Sequence, residues 1–323
     1  MNKQLSIWRF ILEGLEHHIP VMLLYVLDSD GSSPGRQGFF MAVNARGEMR
    51  GSIGGGIMEH KFAELAKETL RILPARGPVI KTQFHDKKSA ANQSGMICSG
   101  KQTILQYIVR EPDRMAIRLL ISSLEQEKNG VLQLSPSGIS FNPAFPLFDY
   151  EFQYKNEEDW IYREKTGFKF KLSIIGGGHC ALALSRLMRP MDFFIRVYED
   201  RGQLYTLEEN EAAHEKIIVN DYSELEKLLE PGPDHYVVIM TMGYRTDDIA
   251  LKAILGKEFA YLGLLGSAFK TQKMIEEYRK EGIPVEWLER INAPAGIAVK
   301  SQTPEEIAVS IAAEIIHIKN KYR

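Results

Sequence analysis

The residues best suited to chemistry sit in glycine-rich surroundings. Ile174-Ile175-Gly176-Gly177-Gly178-His179-Cys180-Ala181 joins an apolar run to a helical one. A tight turn needs glycine at Gly176. A side chain at Gly178 would hold a pyrophosphate away from a helix N-terminus, whose free N–H groups favour an anion. Ala181 takes the third small position, where helix and strand pack closely. The acidic pair Glu199-Asp200 ends the next apolar run, roughly 20 residues on, where a carboxylate accepts hydrogen bonds from ribose hydroxyls. Gly176, Gly178, His179 and Asp200 are thus the cofactor-binding candidates of this half, for NAD(P) or another nucleotide. The same loop also serves plain packing in some doubly wound domains. His179 is placed either to reach a ligand or to cap its own helix. Cys180 has either a pKa lowered by the helix N-terminus or a packing role.

Two further apolar runs end on the same expected rim, at Thr241-Met242-Gly243-Tyr244-Arg245 and Gly263-Leu264-Leu265-Gly266-Ser267. Lys270 and Lys273 follow Ser267 and suit an anion site or a solvated helix face. His235, just ahead of an apolar run, reads as structural, and no histidine spacing suggests a metal site.

The N-terminal half carries three glycine segments: Gly31-Ser32-Ser33-Pro34, Gly51-Ser52-Ile53-Gly54-Gly55-Gly56 with Glu59, and Gly95-Met96-Ile97-Cys98-Ser99-Gly100. Each can present backbone N–H groups to an anion or can simply turn the chain. Three successive glycines cost entropy that a plain turn does not need. A shared ligand predicts Gly55 and Cys98 on one face of this domain.

Taken together, these segments resemble the xanthine dehydrogenase accessory factor family, the XdhC/CoxI type. The likeness extends to Glu199-Asp200-Arg201, to Tyr261–Ser267, to Ala293-Pro294-Ala295-Gly296 and to Thr303-Pro304-Glu305-Glu306-Ile307-Ala308. It implies a maturation factor, without turnover chemistry of its own, that binds the molybdenum cofactor (molybdopterin). It further implies that the factor supports the cofactor's sulfuration and delivers it to a xanthine dehydrogenase-type molybdenum hydroxylase. The implied partners are that apo-hydroxylase and a cysteine desulfurase, with a homodimer left open. Carried onto this chain, Gly54, Gly55, Gly56 and Glu59 are cofactor-binding candidates. Cys98 is the candidate thiol at the cofactor and its metal. Ile57 and Tyr244 depart from the family pattern, which often has cysteine and histidine there. On the Rossmann loop alone, an NAD(P)-dependent oxidoreductase or a nucleotide-responsive regulatory protein remains open.

The elements that must position these residues follow from periodicity. In the second half, the runs 172–175, 194–198, 216–219, 236–241 and 261–265 alternate with helical segments, the pattern of a parallel sheet buried on both faces. Thr303-Pro304-Glu305-Glu306 opens the last helix with an N-cap, a proline at N1 and a glutamate at N3. In the first half, a helix with Leu5, Trp8, Ile11, Leu12 and Leu15 on one face leads into strands over 20–27, 39–43 and 48–53. Residues 28–35 read as a loop between the first two. A helix follows to about Arg71, then strands at 79–84 and 102–109 and a helix at 114–124. Residues 131–141 read as a hairpin and 148–162 as a connector with some strand content. The fold class is therefore α/β: a C-terminal Rossmann-type domain over 166–323 and a smaller N-terminal α+β domain with its connector over 1–165.

Composition bounds the rest. The 323 residues are 44% hydrophobic and 25% charged, with a net charge of −2, as in a folded globular chain. Basic and acidic residues are interspersed, so neither nucleic acid nor membrane is an expected partner. Charges interrupt the apolar N-terminus, which does not read as a signal peptide. Two cysteines exclude a disulfide framework, and a cytoplasmic address is expected.

Overall fold

The computed structural model describes residues 3–72, 77–84, 100–144 and 148–321. The chain divides into two compact units, Met1–Gly167 and Phe168–Arg323.

The first unit comprises α1 (Lys3–Glu16), β1 (Val21–Gly31), β2 (Phe40–Asn44), β3 (Met49–Gly51), α2 (Gly56–Arg71), β4 (Val79–Phe84), β5 (Gly100–Ile108), α3 (Arg114–Glu125), β6 (Gly130–Ser135), β7 (Gly138–Asn142), β8 (Tyr150–Asn156) and β9 (Asp159–Thr166). Its strands form two antiparallel sheets, ordered β3-β2-β1-β5-β4 and β7-β6-β9-β8. Strand β1 shows why this half reads as it does. Val21, Leu23, Tyr25 and Leu27 point into a core with α1, α3 and the second sheet. Met22, Leu24 and Val26 point the other way, onto Met58, Phe62, Ala63 and Ala66 of α2. Both faces are covered, so an antiparallel strand carries an unbroken apolar run instead of an alternating one.

Two expectations are revised here. Strand β1 continues through Asp28, Ser29 and Asp30 to Gly31, because β5 pairs with it as far as Gly31↔Gly100 beyond a bulge at Val26/Asp28. The stretch read as a connector is the β8–β9 hairpin, which completes the second sheet. Its inner residues Trp160 and Tyr162 are buried, although no simple period announced them.

The second unit comprises β10 (Phe170–Ile175), α4 (His179–Met188), β11 (Phe193–Glu199), α5 (Tyr205–Glu208), β12 (Glu215–Ile218), α6 (Leu225–Leu228), β13 (Gly232–Ile239), α7 (Tyr244–Ile254), β14 (Phe259–Leu264), α8 (Ala268–Lys280), α9 (Val285–Leu288), β15 (Ile291–Asn292) and α10 (Pro304–Lys321). All six strands are parallel, in the order β12-β11-β10-β13-β14-β15. Counted from β10, this is the order 3-2-1-4-5-6 of a doubly wound Rossmann sheet, whose direction reverses between β10 and β13. Leu172 and Ile174 of β10 face α4 and α10, while Ile175 joins Val237 and Ile239 against α7 and α8. Each such side chain contributes about 1.5–3 kcal/mol on burial. Helix α10 starts as its sequence predicts. The Glu306 N–H donates to Thr303 Oγ1 at 3.2 Å, and Glu306 Oε2 accepts from the Gln302 N–H at 2.6 Å. Short β15 had no apolar run to announce it.

Candidate functional site

Strand β10 runs directly into the glycine loop at the point where the sheet reverses. Gly176 has φ 102°, and a Cβ there would lie 2.4 Å from the Met240 carbonyl oxygen and 2.8 Å from Thr241 Cα. Only glycine lets the ends of β10 and β13 approach this closely. Gly177 is tied on both sides: its N–H donates to Glu199 Oε2 at 2.6 Å, and its carbonyl accepts from Thr206 Oγ1 at 2.6 Å. Gly178 is different. As N-cap of α4 it has φ −71°, a backbone any residue adopts, and a Cβ there would meet nothing within 4 Å. No side chain caps the helix at this residue. The first N–H groups of α4, next to this residue, lack carbonyl partners within the helix. Among the described residues, nothing in the packing calls for glycine at this position. Ala181 is fully buried in the core below, the expected third small position.

The two acids of β11 have different fates. Glu199 is 0% exposed, and its carboxylate accepts from the Gly177 N–H, from Arg201 Nε at 2.6 Å and from Arg201 Nη2 at 3.0 Å. Burial pushes this carboxyl up, but the Arg201 and Gly177 hydrogen bonds outweigh it and the net shift is downward. Glu199 therefore holds the loop and is withdrawn from any ribose. Asp200, part-exposed, is the carboxylate left at the rim; burial and the adjacent Glu199 push its pKa up.

Beyond β13 lies a cluster that sequence reasoning did not assemble. Asp247 of α7 is fully buried and accepts from the Thr241 N–H at 3.1 Å and from Thr241 Oγ1 at 2.6 Å. Lys270 of α8 closes the set by pairing with Asp247. Lys270 therefore departs from both readings of it, the anion site and the solvated helix face, whereas Lys273, 59% exposed, keeps to the solvated face. Lys270 neutralises a buried carboxylate, and Lys273 lies 3.8 Å from Glu277 and over the Tyr244 ring.

His179, the first residue of α4, is exposed. His235 is structural, as read: its Nδ1 lies 2.7 Å from the Glu230 carbonyl oxygen and must donate to it, which leaves Nε2 to accept from Ser173 Oγ at 2.8 Å. Cys180 does not have the lowered pKa its helix position suggested. Burial, then Glu305, pushes it up, and the thiol packs on the core.

In the first unit, the glycine segments converge. Gly54, Gly55 and Gly56 all have positive φ, at 124°, 77° and 71°. A Cβ on Gly54 would sit 2.3 Å from the Gly35 nitrogen, one on Gly35 would sit 1.9 Å from the Ile53 carbonyl oxygen, and one on Gly100 would sit 2.7 Å from the Ser33 nitrogen. Buried Gln102 bridges two of these backbones, donating from Nε2 to Gly35 O at 2.8 Å and to Ile53 O at 3.2 Å. Those two bonds fix the orientation of its amide, and its buried Oε1 has no hydrogen-bond partner among the described residues. Glu59 turns back onto the loop: its Oε2 accepts from Ser52 Oγ at 2.6 Å, from the Ile53 N–H at 2.9 Å and from the Gly55 N–H at 3.0 Å. Loop donors expected to face a ligand are thereby engaged internally, and Glu59 acts as a positioning residue. Beyond them the N-terminus of α2 begins at Gly56, with no side-chain cap at Gly55 and open space where a Gly55 Cβ would lie. Cys98 lies outside the described residues. Among the described residues, no group of three or more His, Cys, Asp or Glu side chains is arranged to hold a metal.

Fold and site together define a two-unit protein: a Rossmann domain with an open glycine at its switch point, preceded by an α+β unit built on interlocked glycine turns. Residues 172–315 match the XdhC Rossmann domain, and residues 15–76 match the XdhC and CoxI family. The chain belongs to the XdhC and CoxI family. It is similar to the uncharacterized protein YqeB of Escherichia coli K12, at 26% identity over 307 residues, which is 94% of this chain but 44% of YqeB. This chain thus spans less than half the length of that relative. It is also similar to a Bacillus subtilis protein named as a probable xanthine dehydrogenase subunit, at 22% identity over 95% of this chain and 96% of that protein. A solved structure titled as a xanthine dehydrogenase from Bacillus halodurans shares the fold, with a TM-score of 0.69 at 23% identity, covering 100% of this chain and 97% of that one.

Proposed function

We propose that this protein is an accessory factor for a molybdenum hydroxylase of the xanthine dehydrogenase type. It binds the molybdenum cofactor, keeps it bound during sulfuration and delivers it to the apo-enzyme. The observation that carries the reading is Gly178, a glycine that no packing among the described residues requires, beside the uncapped N-terminus of α4 at the switch point of a Rossmann sheet. Family membership and the xanthine dehydrogenase name of the Bacillus subtilis relative support the choice of partner.

The described residues fit the phosphate-bearing part of such a ligand. The N–H groups of His179, Cys180 and Ala181 would take its phosphate, and Asp200 would accept from a ribose hydroxyl where the bound form carries a nucleotide. In the first unit, Gly56 and the start of α2 offer another phosphate position, and Glu59, which takes up the Gly55 N–H, and Gln102 hold the turn in shape. The bound cofactor would supply a molybdenum centre whose terminal sulfido ligand the hydroxylase requires. Cys98, a soft donor, is the residue we assign beside that metal.

The test is to purify the protein from molybdenum-replete cells, quantify its molybdenum and oxidised pterin, and add it to an apo-hydroxylase. The expected result is bound cofactor and recovered hydroxylase activity, both reduced in Cys98→Ser. A protein free of pterin that restores no activity would overturn the reading. Hydride transfer with NADPH by the chain alone would identify an oxidoreductase instead.

A further inference from the structure

Strands β11 and β13 flank β10 on opposite sides, yet side chains from beyond their carboxyl ends meet. Arg201 Nη1 lies 3.8 Å from Met242 Sδ, so the two reach across the glycine loop that ends β10. Arg201 cannot swing freely, because its Nε and Nη2 are anchored on the buried Glu199 carboxylate. The plane of its guanidinium is thereby fixed, and the side chain is still 36% exposed. Met242 is 76% exposed, whereas Met240, two residues earlier, is buried. A flexible thioether is thus left in water at the mouth of the crevice, touching a planar cation held in place from below.

The N–H edge of the guanidinium is taken up by Glu199 and Met242 Sδ, which leaves its faces and the exposed thioether for contact with a ring. Guanidinium planes stack on aromatic rings, and thioethers make favourable contacts with them. We propose that Arg201 and Met242 form the seat of an aromatic base, so that unit two takes nucleotides by stacking the base here while the phosphates lie at Gly178. This rests on the reading that the crevice binds a phosphorylated ligand, and adds the class of group at the other end of it. Neither residue reads the hydrogen-bonding pattern of a ring edge. Affinity therefore follows stacked area, with bicyclic bases favoured over pyrimidines. Asp200, 4.0 Å from Arg201 Nε, lies beside the seat, where a ribose would connect base to phosphate.

The experiment is calorimetric titration of the full chain with ADP, CDP and inorganic pyrophosphate, for the unaltered protein, Met242→Ala, Met242→Leu and Gly178→Leu. ADP should bind at least tenfold more tightly than pyrophosphate, with CDP between them. Met242→Ala should weaken ADP by about tenfold, the loss of one buried apolar side chain, and leave pyrophosphate unchanged. Met242→Leu should restore most of that loss. Gly178→Leu should lose all three ligands. Equal affinities for ADP and pyrophosphate, or an unchanged ADP affinity in Met242→Ala, would overturn the base seat while leaving the phosphate site standing. Binding of none of the three to the unaltered protein would overturn the nucleotide reading and this inference with it.

Discussion

Gly176 and Gly178 are two residues apart, and the structure predicts opposite consequences for replacing them. At Gly178, leucine enters open space on an ordinary backbone. Removing a glycine also narrows the unfolded ensemble, which favours folding by about 0.4–1 kcal/mol. The net change in stability should stay within about 0.5 kcal/mol, and the melting temperature within about 2 °C. Binding should not survive, because the side chain takes up volume next to the α4 N–H groups. Each charge-assisted hydrogen bond lost there is worth about 1.5–3 kcal/mol, so two of them amount to at least about a hundredfold in affinity. Gly176→Ala should behave inversely. A non-glycine residue at φ 102° costs about 1–3 kcal/mol. The 2.4 Å approach to the Met240 carbonyl oxygen forces a backbone shift costing about 1–3 kcal/mol more. A total near 4 kcal/mol lowers the melting temperature by about 8–16 °C in a unit of this size. Differential scanning calorimetry and ADP titration on the two variants make the comparison. If Gly178→Leu melts as early as Gly176→Ala, or still binds ADP normally, the glycine at 178 serves packing and not a ligand.

His214 has its pKa lowered to about 4, first by burial and then by Arg189. The unfolded state therefore binds the extra proton between about pH 6.5 and pH 4. This contribution is complete above that window and is lost as pH falls through it, by about 2 kcal/mol after allowing for partial exposure. Urea denaturation between pH 7 and pH 4 should show a shallower loss in His214→Gln; parallel curves would refute the assignment. Lys270→Met strands the buried Asp247 charge and should cost about 3–5 kcal/mol. Adding Asp247→Asn should recover most of it, and a double variant no more stable than the single would disprove the pairing. Glu59→Ala removes three hydrogen bonds from the glycine turn and should cost about 2 kcal/mol, whereas Glu59→Gln, which keeps an acceptor oxygen, should cost less than half of that. Equal losses from the two substitutions would show that the oxygen is not what holds the turn.

What the sequence determined by itself are the features written in neighbouring residues. The strand–glycine–helix signature at 172–188, the capping residues of α10 and the alternation of apolar runs in the second half are local, because helix and strand periodicities repeat within a few positions. The glycine turns at Gly54–Gly56 and Gly176 were legible for the same reason, since left-handed backbone is a demand on a single residue. Tertiary structure alone decided which polar groups would be available. Glu199 and Asp200 are adjacent and chemically alike, yet one is sealed under the loop by the Gly177 N–H and Arg201, while the other remains at the rim. Asp247 meets Thr241 and Lys270 only because α7 and α8 start at the ends of adjoining strands. Arg201 and Met242 meet only because the sheet order places β10 between their strands. Burial and partnership depend on residues distant in the chain, and a single sequence does not specify which of its many acids and bases the fold will bring together.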